Sequence, residues 1–205
     1  MELKKENIAT IGKLTFSLDK NFVEEYKDLQ PNWGPIGEIV FKRTYSREKP
    51  DGSYEEWYET INRVINGVFS IQKNHCLMYG IPWIETKAMR TAKKMYDSMF
   101  NFKFLPPGRG LWAMGTKHVE QNGSASLFNC AFVSTKDMNK GNPAKPFTFL
   151  MSCLMLGIGV GFDTRGAGTV SIRRSKVIKH TITIEDSREG WVNSIDSLIN
   201  SYVAV

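Results

Sequence analysis

Apolar positions along the chain change their period several times, and each period predicts an element. Trp57, Ile61, Val64, Ile65 and Val68 recur at helical spacing and predict a helix over 54–68 with one apolar stripe. Ala88, Met89, Ala92, Met95, Tyr96 and Met99 predict a second helix over 85–100. Elsewhere the period is two. Ile39, Phe41 and Tyr45 alternate with polar neighbours, which predicts a strand over 37–45. In Ser126-Leu-Phe-Asn-Cys-Ala-Phe-Val-Ser134, Phe128, Cys130 and Phe132 fall on one face and Leu127, Asn129, Ala131 and Val133 on the other. Both faces carry apolar side chains, so the expectation is a buried strand covered on both sides, as in an α/β core.

The run 146–156 predicts a compact apolar helix, with Pro146 in its first turn and Gly157 as its C-terminal cap. A short strand over 159–163 follows. Residues 177–184 alternate through Ile178, His180, Ile182 and Ile184 and predict another strand. Asp186-Ser-Arg-Glu189 has the form of a capping box with Asp186 as N-cap. It opens a helix over 186–202 whose apolar face holds Trp191, Val192, Ile195, Leu198, Ile199 and Tyr202. An apolar face of this quality must bury against something.

Punctuation between these segments sets the organisation. Residues 1–35 read as an irregular lead-in with one short helix around 21–29, ending in a turn at Trp33-Gly-Pro35. Pro50-Asp-Gly52 closes a polar loop, 115–123 and 136–145 read as polar loops, and Arg165-Gly-Ala-Gly168 is a turn. Phe104-Leu-Pro-Pro-Gly-Arg-Gly-Leu-Trp112 holds two prolines and two glycines, which predict a bent, unhelical path. Such a stretch is either a loop lining a site or a linker with one surface arginine. The expected division is a mainly helical subdomain over 1–104 and an α/β region over 105–205.

Composition narrows the setting. Of 205 residues 41% are hydrophobic and 23% charged, the balance of an ordinary soluble domain. A net charge of +6 suits anionic ligands such as nucleotides but is too weak to imply a DNA or RNA polymer as partner. The three cysteines, Cys76, Cys130 and Cys153, form no C-x-x-C pair, which argues against a disulfide framework or a zinc site. The start lacks the apolar core of a signal peptide and no apolar run reaches membrane-spanning length, so the expected location is a reducing cytoplasm.

Candidate chemistry concentrates at Cys130 and at Gly157-Ile-Gly-Val-Gly-Phe162. Glycines in that run leave no side chains where a strand emerges, so a ligand can approach the backbone. A thiol on a buried strand beside bare backbone is a candidate reaction site, although a cysteine between two phenylalanines is more commonly a small packing residue. Cys153 reads as a packing residue in its helix. The His75-Cys76 pair falls between the two predicted helices with no third ligand in view and reads as structural. His180 among isoleucines is given no role, and the basic group Arg173, Arg174, Lys176 and Lys179 reads as a solvated face.

Seven motifs in register carry a family resemblance. They are Gln30-Pro-Asn-Trp-Gly-Pro-Ile-Gly37 with Phe41-Lys-Arg-Thr-Tyr-Ser-Arg47, Trp57-Tyr-Glu-Thr60, Pro107-Gly-Arg-Gly-Leu-Trp112, Leu127-Phe-Asn-Cys130, Pro146-Phe-Thr-Phe-Leu150, Gly157-Ile-Gly-Val-Gly-Phe162 and Asp186-Ser-Arg-Glu-Gly-Trp-Val192. With them the chain resembles the N-terminal part of adenosylcobalamin-dependent (class II) ribonucleoside-triphosphate reductases. The resemblance implies the first strands and helices of a ten-stranded α/β barrel. It implies that Cys130 is one of two cysteines that reduce a ribonucleoside triphosphate after a thiyl radical has taken its 3′ hydrogen. It places Asn129, Pro106, Pro107, Gly108, Gly159 and Gly161 near the nucleotide. Ile158 stands where the family more often has glycine, and a side chain pointing at the ligand there would alter binding.

The resemblance also implies what other sequence must supply. The radical-forming cysteine, the partner of Cys130, most contacts to adenosylcobalamin and the C-terminal redox cysteines belong to later parts of the family's sequence. Nor does the stretch before Gln30 leave room for an ATP-binding cone. The expectation is a chain inactive alone that needs a C-terminal reductase polypeptide and a thioredoxin-like or dithiol reductant. A non-catalytic nucleotide-binding or regulatory remnant is the alternative, and substitution of Cys130 separates the two.

Overall fold

Residue 57 begins the longest element of the fold, and its apolar stripe is the wall on which the first half of the chain is built. The computed structural model describes residues 11–173 and 181–204. They form two compact units, the first ending at Leu127 and the second beginning at Phe128. The boundary expected at 104/105 therefore falls inside the first unit, which retains 105–127.

In the first unit the helices are α1 (Lys20–Glu24), α2 (Gly37–Thr44), α3 (Trp57–Met78), α4 (Glu85–Phe100), α5 (Gly108–Ala113) and α6 (Lys117–Asn122), followed by a 3-10 turn at Ser124–Leu127. Helix α3 starts where the Glu56 N–H donates to Glu59 Oε2 at 2.8 Å, one half of a capping box. Ile61, Val64, Ile65 and Phe69 of α3 and Ala88, Ala92, Tyr96 and Met99 of α4 are buried in one core. Polar ends inside it are met: Trp57 Nε1 donates to the Phe100 carbonyl at 3.1 Å and the Tyr96 hydroxyl to the Tyr58 carbonyl at 2.9 Å.

Helix α3 runs ten residues past the predicted end at 68, and the reason is polar. Asn66, Ser70 and Asn74 lie at four-residue spacing and hold the lead-in backbone. Leu18 N–H donates to Asn66 Oδ1 at 2.8 Å, Phe16 N–H to Ser70 Oγ at 2.9 Å, and Asn74 Nδ2 to the Lys13 carbonyl at 2.7 Å. The His75-Cys76 pair consequently sits in the last turn of α3, not between helices.

Three other expectations are corrected. The predicted strand over 37–45 is helix α2, because Phe41 alone is buried there, stacked 5.3 Å from Trp33, while Ile39 is exposed and Glu38 pairs with Lys42 at 3.0 Å across one helical turn. The predicted loop 115–123 contains α6, pinned by buried Val119 and stopped by Gly123 at φ 75°. The bent path through 104–107 ends at Pro107, the N-cap of α5, and the chain is helical from Gly108. The short helix expected around 21–29 is α1, capped by Asp19, whose side chain accepts from the Asn21 N–H.

The second unit contains β1 (Cys130–Val133), α7 (Lys145–Met155), β2 (Gly159–Phe162), β3 (Ser171–Ile172), α8 (Arg188–Tyr202) and β4 (Val203–Ala204). Strands β1 and β2 pair in parallel through the α7 crossover, a βαβ unit, and β3 pairs antiparallel with β4. Helix α8 packs on α7, and Asn142 Nδ2 donates to Asp196 at 2.7 Å. Its N-cap is Ser187, whose hydroxyl accepts from the Gly190 N–H at 3.0 Å, one residue later than the Asp186 expected. Of the strand predicted over 177–184, residues 177–180 with Ile178 and His180 lie outside the described residues, as do Arg174, Lys176 and Lys179. Residues 181–184 have no regular structure.

Candidate functional site

The pairing of β1 with β2 sets Cys130 opposite Gly159, Ala131 opposite Val160, Phe132 opposite Gly161 and Val133 opposite Phe162. Partners in such a ladder project to the same side, so Cys130 and Phe132 share a face with two positions that carry no side chain. That face is open. Cys130 is exposed, and Phe128 and Phe132 are 62% and 63% exposed, so the expectation of a strand covered on both sides does not hold among the described residues. Ala131 and Val133, on the opposite face, are half-buried.

The two glycines are not demanded by local packing. A Cβ at Gly159 would meet nothing nearer than the Asn129 carbonyl at 3.6 Å, and one at Gly161 only the Phe132 ring at 3.4 Å. Gly166, by contrast, is forced, because a Cβ there would run into the Thr135 carbonyl. The bare strip beside Cys130 is therefore free space. Asn129 adjoins it: its carbonyl accepts from the Gly159 N–H at 2.9 Å, and the residue is exposed.

Ile158 does not enter that strip. Helix α7 ends in a Schellman motif, with Gly157 at φ 75°, its N–H donating to the Leu154 carbonyl at 2.8 Å, and the Ile158 N–H to the Cys153 carbonyl at 3.0 Å. The residue after the glycine in this motif packs back on the helix, and Ile158 is 3% exposed. Beside it, burial pushes the Cys153 thiol up in pKa, with the Arg188 guanidinium pulling the other way.

The far ends of the strands are clamped by Asp163. Its carboxylate accepts from the Thr135 N–H at 2.9 Å, the Ser134 hydroxyl at 2.8 Å and the Arg165 N–H at 3.2 Å. These bonds, that from Thr135 foremost, hold the carboxyl down to about 2. A cavity of about 380 Å³ opens at the same end of β1, beside Ser134, Asp137, Lys140 and Lys145, and none of the sequence-predicted site residues lines it.

Pro106, Pro107 and Gly108 belong to the first unit. The Pro107 carbonyl accepts from the Gly110 N–H at 2.7 Å, and a Cβ at Gly108 would lie 3.0 Å from the Tyr45 hydroxyl oxygen. Sequence reasoning missed what holds the end of the helix that follows this turn. The Arg63 guanidinium donates to both carboxylate oxygens of Glu55, at 2.8 and 3.0 Å, to the Leu111 carbonyl at 3.0 Å and to the Met114 carbonyl at 2.5 Å. Arg63 lies off the apolar stripe of α3, so hydrophobic periodicity gave no signal for it. Nearby, His118 stands edge-on to Trp112 at 5.4 Å, and burial, with Arg109 second, lowers its pKa.

A helical unit whose last helices are seated by a buried ion pair, and a βαβ unit with a thiol over bare backbone, match one class of protein. Residues 18–116 match the family model described as the ribonucleotide reductase alpha domain. The fold matches a crystal structure of a B-12 dependent (class II) ribonucleotide reductase with a TM-score of 0.73 and 26% identity, over 90% of this chain and 32% of that one.

Two relatives narrow the class. A protein of Dictyostelium discoideum named "Probable adenosylcobalamin-dependent ribonucleoside-triphosphate reductase" is 44% identical over 91% of this chain and 27% of its own length. The adenosylcobalamin-dependent ribonucleoside-triphosphate reductase of Euglena gracilis is 42% identical over 91% of this chain and 26% of its own. The chain thus resembles an N-terminal portion of class II ribonucleotide reductases. It spans about a quarter of the length of these relatives. Among the described residues no helix is long and apolar enough to cross a membrane, and no cluster of three His, Cys, Asp or Glu forms a metal site.

Proposed function

We propose that this chain supplies part of the active site of an adenosylcobalamin-dependent ribonucleoside-triphosphate reductase, with Cys130 as one of its two reducing thiols. The observation that carries the reading is the register of Cys130 with Gly159, an exposed thiol beside backbone with room for a ligand. Asn129, Gly159 and Gly161 are the proposed substrate contacts around it. A nucleotide contact is also proposed for Pro106, Pro107 and Gly108 in the first unit. Strands β1 and β2 are then the first of a ten-stranded barrel whose other strands are supplied by further polypeptide.

The chemistry assigned to Cys130 balances with one partner thiol. After a cysteine thiyl radical has removed the 3′ hydrogen, the 2′ hydroxyl leaves as water. Two thiols replace it with hydrogen and become a disulfide, and the 3′ hydrogen is returned. The net change is one ribonucleotide and two thiols to one deoxyribonucleotide, one water and one disulfide. The second thiol, the radical cysteine and the external dithiol or thioredoxin-like reductant come from outside this chain.

Adenosylcobalamin is carried over as the cofactor of the whole enzyme. The described cavities, about 330, 380 and 460 Å³, are of the size that takes small ligands, and a corrinoid with its nucleotide tail does not fit them. On this reading the chain's residues bind and reduce the nucleotide, and most contacts to the cofactor come from regions outside this chain. Reconstitution with the polypeptide that completes the relatives' length, adenosylcobalamin, CTP and a dithiol tests the proposal. Turnover lost in Cys130→Ser, with CTP affinity kept, is the expected result. Unchanged turnover in that variant contradicts it, and CTP binding by the chain alone with no reduction in any reconstitution would favour a regulatory remnant.

A further inference from the structure

We infer that Arg63 is a positioning residue: held by Glu55, it fixes the turn formed by Pro106, Pro107 and Gly108 and thereby sets the affinity for the nucleotide. The inference rests on the proposed nucleotide contact of that turn and adds the residue that places it.

Helix α5, which begins at this turn, has six residues and cannot hold itself in water. Its last carbonyls need partners, as at every helix end. The Gly110 carbonyl takes the Met114 N–H at 3.1 Å and the Ala113 carbonyl takes the Thr116 N–H at 3.1 Å. The Leu111 carbonyl, and the Met114 carbonyl just past the helix, are taken by Arg63. A cation at this end also complements the helix dipole.

The guanidinium is itself fixed. It lies in a fork on Glu55, both side chains nearly buried at 12% and 11% exposure, and Glu55 Oε2 also accepts from the Thr60 hydroxyl at 2.8 Å. A buried ion pair is a poor stabiliser compared with apolar packing. What a guanidinium provides here is direction: rigid donors aimed at one carboxylate and two carbonyls.

Sterics close the same joint. A Cβ at Gly67 would come within 2.6 Å of the Gly115 nitrogen, and Gly115, at φ 73°, abuts the Arg63 carbonyl. Residues 111–115 thus lie directly on α3. The Leu111 N–H donates to the Pro107 carbonyl at 3.3 Å, so any slip at Leu111 reaches the turn within one helical step. A misplacement of about 1 Å is worth up to roughly 10²-fold in rate when it moves a group that orients substrate.

Two measurements test this on Arg63→Met, Arg63→Lys and Glu55→Gln, with Pro107→Ala as the reference for the turn. In the full chain, amide exchange of 108–116 should quicken in Arg63→Met while 85–100 keeps its protection. In the reconstituted reductase, Arg63→Met should raise KM for CTP about 10-fold or more with a smaller change in kcat, as loss of substrate binding by the displaced turn does. Arg63→Lys, which keeps the charge and loses the fork, should fall between. Glu55→Gln keeps the size of the side chain and serves if Arg63→Met does not fold. An unchanged exchange pattern, or an unchanged KM in the Arg63 variants while Pro107→Ala raises it, overturns the inference. If Pro107→Ala also leaves KM alone, it is the nucleotide contact of the turn that fails, and the exchange result alone decides whether Arg63 places it.

Discussion

The α3–α4 core and the β1–β2 pair use the same residue types to opposite ends. In the first, Ile61, Ile65 and Tyr96 are fully buried, and the Tyr96 hydroxyl donates inside the unit. In the second, Phe128 and Phe132 are both more than 60% exposed beside an exposed thiol, and Phe162 is as exposed on the other face. Glycines sharpen the contrast. Gly67 is required, because backbone lies where its side chain would be, whereas Gly159 and Gly161 are not. Where packing explains every side chain, function need not be invoked. Where glycines and aromatics stand in the open, packing within the unit explains neither, and the surplus is where we propose the site.

This contrast can be broken by substitution. The largest expected effect is on reduction: Cys130→Ser in the reconstituted enzyme should remove turnover while leaving the melting temperature of the chain unchanged. Ile61→Ala should do the reverse in kind, costing about 2–5 kcal/mol in denaturant unfolding, because it opens a cavity at a position with no exposure. Phe132→Ala should cost no more than about 0.5 kcal/mol on the same measurement. An equal cost for the two would mean that the β1 face is covered in solution.

The glycine comparison predicts a smaller split. Gly67→Ala should destabilise by about 1–3 kcal/mol through its clash with Gly115. Gly159→Ala should be neutral or stabilising by about 0.5–1 kcal/mol, yet weaken CTP binding in the reconstituted enzyme. Loss of stability without loss of binding would show that Gly159 serves packing.

The smallest effect is the pH dependence of the Asp163 clamp. Its folded pKa, about 2, lies below the ordinary 3.8. A carboxylate depressed in this way contributes stability fully above the unfolded value, and loses it as pH falls from about 4 through about 2. Asp163→Asn should therefore flatten acid unfolding over that window. His118 acts higher up: its lowered pKa means the folded state resists protonation, so stability falls as pH drops below 6.5, and His118→Gln should remove that slope.

Much of this was legible in the sequence, for definite reasons. The helix Glu85–Phe100 was read to its ends because its buried residues form one unbroken stripe. Helix α2 was misread because a single buried residue, Phe41, has no period. The second half of α3 was missed because its anchors are polar: Ser70 and Asn74 bind backbone, and hydrophobic periodicity is blind to that. At the site, the alternation of Cys130 with Phe128 and Phe132 and of Gly159 with Gly161 was visible in each strand. Register was not, since it belongs to the pair. Nor could the sequence show that Ile158 turns inward, because the direction of that side chain is set by Gly157 at the end of α7.

The most direct test follows the oxidation state of Cys130. In the reconstituted enzyme, a single turnover of CTP without external dithiol should form one deoxyribonucleotide per site. Alkylation of free thiols and peptide mapping would then be read at each cysteine. The account predicts that Cys130 loses its alkylation in step with product, recovers it on adding dithiol, and that Cys76 and Cys153 stay labelled throughout. Product formed while Cys130 remains fully alkylated would contradict it.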